Sequence, residues 1–143
     1  MYSKEIQVIK MLARKASELI MTVYTSDFSV TQKEKNLGPV TEADLASDRL
    51  IVEGLAEAFP GDVVISEESG VRNSGSCGKR TWFVDPLDGT KEFVKRNGEF
   101  SIHIGLAVNG VSVLGLVYVP ATGECAYGGK GLGAYYEKES GHA

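Results

Sequence analysis

Two apolar stripes at helical spacing, followed by a run of short alternating segments punctuated by glycine, predict an α+β domain. Two helices pack on a mainly antiparallel sheet. The 143 residues suit a single domain spanning 1–143 and suffice for one core, with 43% hydrophobic and 24% charged residues. That balance argues against intrinsic disorder, and the 17 glycines point to many tight turns.

In the first element, Ile6, Ile9, Leu12, Ala13, Ala16, Leu19, Ile20 and Val23 recur at three- and four-residue steps. The spacing predicts a helix over about residues 4–25 with one inward face. Ser26 to Pro39 is polar and reads as a mobile connection whose lysines can reach a bound anion. A second helix is expected over about 42–59, capped by the Thr41 hydroxyl with Asp44 completing a capping-box pattern. Its inward face would be Ala43, Ser47, Leu50, Ile51, Gly54, Leu55 and Ala58, and Pro60-Gly61 would end it.

The sheet follows over about 62–136. Val63-Val64-Ile65 and Trp82-Phe83-Val84 read as strands, and Phe100, Ile102, Ile104, Leu106 and Val108 alternate. Asn109-Gly110 predicts a two-residue hairpin into Val111 to Val119. Cys125–Tyr127 and Leu132–Tyr136 read as another hairpin around Gly128 to Gly131. Two helices cover one face of such a sheet and leave the other in need of cover.

Charge and special residues narrow the chemistry. A net charge of −4 provides no broad basic face, which excludes polymeric nucleic acid as a partner. The N-terminal helix interrupts its apolar residues with Lys4, Glu5, Lys10, Arg14 and Lys15, unlike a signal peptide or membrane span. The expectation is a cytoplasmic protein, with peripheral association at the inner membrane left open. Cys77 and Cys125 lack zinc or redox spacing and read as reduced structural thiols. His103 and His142 are too few for a zinc centre and poorly placed for a nucleophile triad, so a catalytic metal must be held by oxygen.

Three acidic motifs supply that oxygen. Asp85-Pro86-Leu87-Asp88-Gly89-Thr90 leaves a buried-looking strand at a turn with two carboxylates three residues apart. Asp85, Asp88 and the intervening Leu87 carbonyl suit Mg²⁺, and Gly89 and Thr90 offer backbone amides to a phosphate ahead of a short helix through Lys91-Glu92-Phe93. Taken alone, Asp-Gly is a turn with Asp88 as its cap. Ser66-Glu67-Glu68-Ser69 places two more carboxylates after a strand, a pattern that alone reads as a solvated loop. Val40-Thr41-Glu42-Ala43-Asp44 is likewise explained by capping alone.

In this order and spacing, V-T-E-A-D, S-E-E-S and W-F-V-D-P-L-D-G-T resemble the inositol monophosphatase superfamily of metal-dependent phosphatases, over roughly Lys4 to Tyr136. The extension from Thr90 to Phe100, T-K-E-F-V-K-R-N-G-E-F, resembles its bacterial 3′(2′),5′-bisphosphate nucleotidase branch. The resemblance implies the N-terminal domain of the sugar-phosphatase fold. It implies Glu67, Asp85 and the Leu87 carbonyl on one Mg²⁺ and Asp85 with Asp88 on a second, with two or three ions in a complete site, Mn²⁺ as a substitute and Li⁺ as an inhibitor. It further implies substrate contacts at Glu67, Leu87, Asp88, Gly89 and Thr90. Asp44 and Thr90 would orient and deprotonate a metal-activated water that hydrolyses adenosine 3′,5′-bisphosphate to AMP and phosphate, a step of sulfur metabolism.

Relatives also carry a distal W-D-x-A-A-G motif and a second α/β domain, neither of which occurs in these 143 residues. Weak or absent turnover is expected on that ground, as is self-association through the uncovered sheet, with a two-fold homo-oligomer favoured. The alternative readings are a metal-binding domain without catalysis and a phosphatase of inositol or fructose phosphates.

Overall fold

A computed structural model describes residues 2–25, 30–32, 39–72, 79–89 and 98–138. Helix α1 runs from Ser3–Tyr24 and buries Ile9, Leu12, Ala13, Ala16, Ser17 and Ile20. Leu19, expected inside, is 39% exposed, because at about 100° per residue it falls on the rim of the stripe. Helix α2, Glu42–Ala58, buries Ala43, Asp44, Ser47, Asp48, Ile51, Val52 and Leu55. Its inner face is therefore rotated from the expected one: Leu50, Gly54 and Ala58 lie at the margin, and two aspartates enter the interior. The helices approach closely at Gly54, where an added Cβ would meet Leu12 Cδ2 at 2.3 Å.

Between the helices the expected mobile connection contains paired backbone. Strands β1 (Val30–Gln32) and β2 (Pro39–Thr41) form an antiparallel pair with Thr31 opposite Val40. The β-branched residues at both ends of the polar segment account for this: Val30-Thr31 and Val40-Thr41 favour extended backbone. Lys33 to Lys35 and the Thr41 side chain lie outside what is described.

The main sheet contains β3 (Val63–Ser66), β4 (Gly70–Arg72), β5 (Arg80–Asp88), β6 (Ser101–Val108), β7 (Val111–Val119), β8 (Glu124–Gly129) and β9 (Gly133–Lys138). Among the described residues its order is β4-β3-β5-β6-β7-β8-β9, antiparallel throughout except that β3 and β5 run parallel. Strand β4, three exposed residues, carries no hydrophobic alternation that would have announced it. The turn after β6 is as expected, with φ of 52° at Asn109 and 78° at Gly110. The last hairpin is longer than expected, since Gly128 and Gly129 remain in β8 and the loop is Lys130-Gly131-Leu132. Nor does the sheet stop at Tyr136: Glu137 in β9 lies 2.8 Å from Lys10 Nζ and accepts the Tyr127 hydroxyl at 3.0 Å, tying the edge strand to α1.

Alternation along β5 and β6 sorts the two faces. Trp82, Val84, Ile102, Ile104 and Leu106 are all buried against the helices. Trp82 stacks on Phe59 at 5.4 Å, and its indole N–H donates to Asp62 at 2.9 Å. Asp62 also accepts from Arg80, which reaches Glu5 of α1 at 3.0 Å. The interior end of β5 is thus hydrogen-bonded as well as packed, so its buried polar atoms carry no unmet desolvation cost.

The opposite face is open. Phe83 pairs across to Gly105, Gly105 to Gly115, Gly115 to Gly128 and Gly128 to Ala134, a row of small residues crossing the sheet. Around that row lies a depression of about 780 Å³, bounded by Phe83, Asp85, His103 and Val117. Phe83 is 48% exposed and Val117 37%, so the face expected to need cover has none within the described chain.

Candidate metal centre

The only parallel pair among the described strands positions the acidic motifs. Because β3 and β5 run in the same direction with Ser66 opposite Val84, their C-terminal ends lie side by side and Glu67 follows next to Asp85. The Glu67 N–H donates to the Val84 carbonyl at 3.1 Å, extending the ladder one residue past β3. Carboxylates from two distant motifs therefore meet at one edge of the sheet, where loops leave parallel strands free to bind ligands.

Asp85 and Asp88 present a parity problem. Residues three apart in a regular strand point to opposite faces. The structure resolves this with a β-bulge and not with the turn that Asp-Pro-Leu-Asp-Gly suggests: β5 continues to Asp88, pairing Asp85 with His103 and Asp88 with Ser101. Three steps on β5 match two on β6, and the extra residue returns Asp88 to the face of Asp85. Pro86 and Leu87 are buried in the bulge, Leu87 with 3% exposure.

Electrostatics mark the result. The Asp85 carboxyl is pushed up to about 7, first by burial, then by its hydrogen bond and charge repulsion with Asp88 and by the charge of Glu67, while the Leu87 N–H pulls the other way. Near neutral pH a proton sits where negative charge is crowded, and a cation can take its place. Among the described residues no group of three or more His, Cys, Asp or Glu side chains closes around a common point. Carboxylates are hard oxygen donors that suit Mg²⁺ or Mn²⁺, which fill their shells with water and phosphate oxygens.

Helix α2 lies beneath this edge. Asp44, in its first turn, is completely buried. The Ser47 hydroxyl donates to the Pro86 carbonyl at 2.7 Å, inside the bulge. Ser66 Oγ donates to Asp48 and accepts from the Glu68 N–H at 3.1 Å. Gly89, at φ 89°, follows β5 in a conformation that favours glycine. Thr90, the short helix expected through Lys91-Glu92-Phe93, Cys77 and His142 lie outside the described residues. Cys125 is buried and its thiol is pushed up to about 11, chiefly by burial, as suits a structural thiol.

Sequence reasoning missed His103. Too isolated for a zinc centre and poorly placed for a nucleophile triad, it sits directly across from Asp85, with Nε2 2.9 Å from Ser101 Oγ and 3.7 Å from Asp88 Oδ2. The signal was partly present, since His103 alternates with the buried Ile102 and Ile104 and must point away from the core. Which residue it faces depended on the strand register.

The chain matches the model of the inositol monophosphatase family over residues 1–142. It is 47% identical over 115 residues to the 3′(2′),5′-bisphosphate nucleotidase CysQ of Escherichia coli K12, covering 76% of this chain and 45% of that protein. The crystal structure of CysQ from Bacteroides thetaiotaomicron superposes with a TM-score of 0.80 at 37% identity, covering 97% of this chain and 51% of that one. The extragenic suppressor protein suhB of Bartonella henselae gives a TM-score of 0.88 at 27% identity, over 94% of this chain and 52% of that one. This chain spans about half the length of the relatives it matches.

Proposed function

The chain belongs to the inositol monophosphatase family, and from that premise we propose that it is the carboxylate-bearing half of a Mg²⁺-dependent 3′(2′),5′-bisphosphate nucleotidase. The substrate is adenosine 3′,5′-bisphosphate, hydrolysed to AMP and phosphate in the cytoplasm. One observation carries the reading: the β5 bulge turns Asp85 and Asp88 to one face beside Glu67, which follows the parallel neighbour β3. The nucleotidase branch is supported by the 47% identity to the E. coli enzyme and by the Thr90 to Phe100 signature.

In this reading Glu67, Asp85, Asp88 and the Leu87 carbonyl hold divalent cation. Such a cation supplies Lewis acidity, lowering the pKa of coordinated water and offsetting charge on phosphate oxygens. The backbone at Gly89 and Thr90 receives the phosphate. Thr90 would orient the attacking water and the carboxylate of the buried Asp44 would take up its proton, so that no covalent enzyme intermediate is needed. Li⁺ competes for the cation position. A two-domain version should release phosphate from adenosine 3′,5′-bisphosphate faster than from inositol or fructose phosphates. No release from that nucleotide, or a preference for the other esters, overturns the assignment.

We also propose a homo-oligomer, paired two-fold through the open face around Phe83 and Val117. Sedimentation should show association rising with concentration, and a strict monomer would count against it.

A further inference from the structure

Ser47 and Asp48 are consecutive residues on α2, and both are buried, at 0% and 6% exposure. Burying a hydroxyl and a carboxylate at a helix–sheet interface costs free energy that apolar side chains at the same positions would not, unless each is well hydrogen-bonded. Both are. Each bond, moreover, ends on a segment that carries site carboxylates. Ser47 donates to Pro86 O, between Asp85 and Asp88. Asp48 accepts from Ser66, which neighbours Glu67 and holds the Glu68 N–H.

The bulge of β5 and the turn after β3 come from different parts of the chain and lie just past the β3–β5 ladder, which the Glu67 N–H bond to the Val84 carbonyl extends by one residue. One turn of α2 fixes both to the same rigid element. We infer that Ser47 and Asp48 are positioning residues. They act through Pro86 and Ser66 to set the separation of Glu67 from the Asp85–Asp88 pair, and so tune the cation affinity of a site to which neither is assigned. The inference rests on the metal-site reading above.

The test is Mn²⁺ titration of the whole chain, well below its melting temperature, for wild type, Ser47→Ala, Ser66→Ala, Ser66→Thr and Ile51→Val. The last variant trims the buried core of α2 one turn on and controls for lost stability. Expected is a loss of about tenfold to a hundredfold in Mn²⁺ affinity for Ser47→Ala and Ser66→Ala, with recovery in Ser66→Thr, which keeps the hydroxyl, and wild-type affinity in Ile51→Val. If Ser66→Ala, which takes the hydroxyl donor from the buried Asp48, proves too unstable, Ser47→Ala decides. Wild-type affinity in both alanine variants, or an equal loss in Ile51→Val, overturns the inference while leaving the site reading intact. Absence of Mn²⁺ binding to the wild-type chain overturns the site reading, and the inference with it.

Discussion

On the helix-covered face of β5, Trp82 and Val84 are 0% and 3% exposed, while Phe83 and Asp85, their neighbours in the same strand, point the other way, where Phe83 is 48% exposed. The covered face is filled by large side chains and by the Asp62 network. The open face carries a row of glycines and, at its end, carboxylates that repel one another. Strand parity therefore divides the work: even positions from 82 to 84 stabilise the domain, and odd ones face the site. Substitutions on the two faces should separate stability from cation binding, and a variant that affected both equally would break the comparison.

The largest effect is expected on the covered face. Trp82→Ala removes a completely buried ring and the donor to Asp62, and should cost about 3–5 kcal/mol. Against a typical total of about 5–15 kcal/mol this leaves a marginal domain, measurable by urea denaturation. A loss below about 1 kcal/mol would mean that the core lies elsewhere.

Asp85→Asn is the counterpart on the open face. It should weaken Mg²⁺ or Mn²⁺ binding at least about a hundredfold, because in the proposed site it removes the carboxylate shared between the two cation positions. Folding without metal should be unharmed or improved, since the repulsion with Asp88 and Glu67 is relieved. Calorimetry and thermal melting read the two effects separately.

How much of this contrast was legible follows from the range of each signal. The helices, the Asn109-Gly110 turn and β6–β7 rest on local periodicity and turn chemistry, and they were readable. The acidic motifs were readable as candidates because their residue types and order are local too. The parallel pairing of β3 with β5, the bulge that brings Asp88 round, and His103 opposite Asp85 depend on register between distant segments. Burial of Asp48 was unreadable for the same reason: its partner Ser66 is 18 residues away, and a carboxylate on a helix normally faces water.

A smaller effect concerns pH without metal. Burial first, then Asp88 and Glu67, push the folded Asp85 carboxyl up to about 7 from an ordinary value of 3.8, so the folded state holds the proton more tightly than the unfolded one. Its contribution to stability is present below about pH 4 and is lost as pH rises towards 7. Between pH 5 and 8 the melting temperature of wild type should therefore fall relative to that of Asp85→Asn, and parallel profiles would show that the Asp85 carboxyl is not raised. The smallest effect is expected for Phe83→Ser, with a stability change within about 1 kcal/mol because half the ring is already in water, and with reduced self-association.

The central claim, that crowded carboxylates at the ends of β3 and β5 form a divalent-cation site, is tested most directly by titrating Mn²⁺ into the chain at pH 7 in two buffers of different ionisation enthalpy. The site predicts binding accompanied by proton release from Asp85, on the order of half a proton per cation at this pH. That release should vanish in Asp85→Asn. Binding with no proton released, binding unchanged in Asp85→Asn, or no binding at all would contradict it.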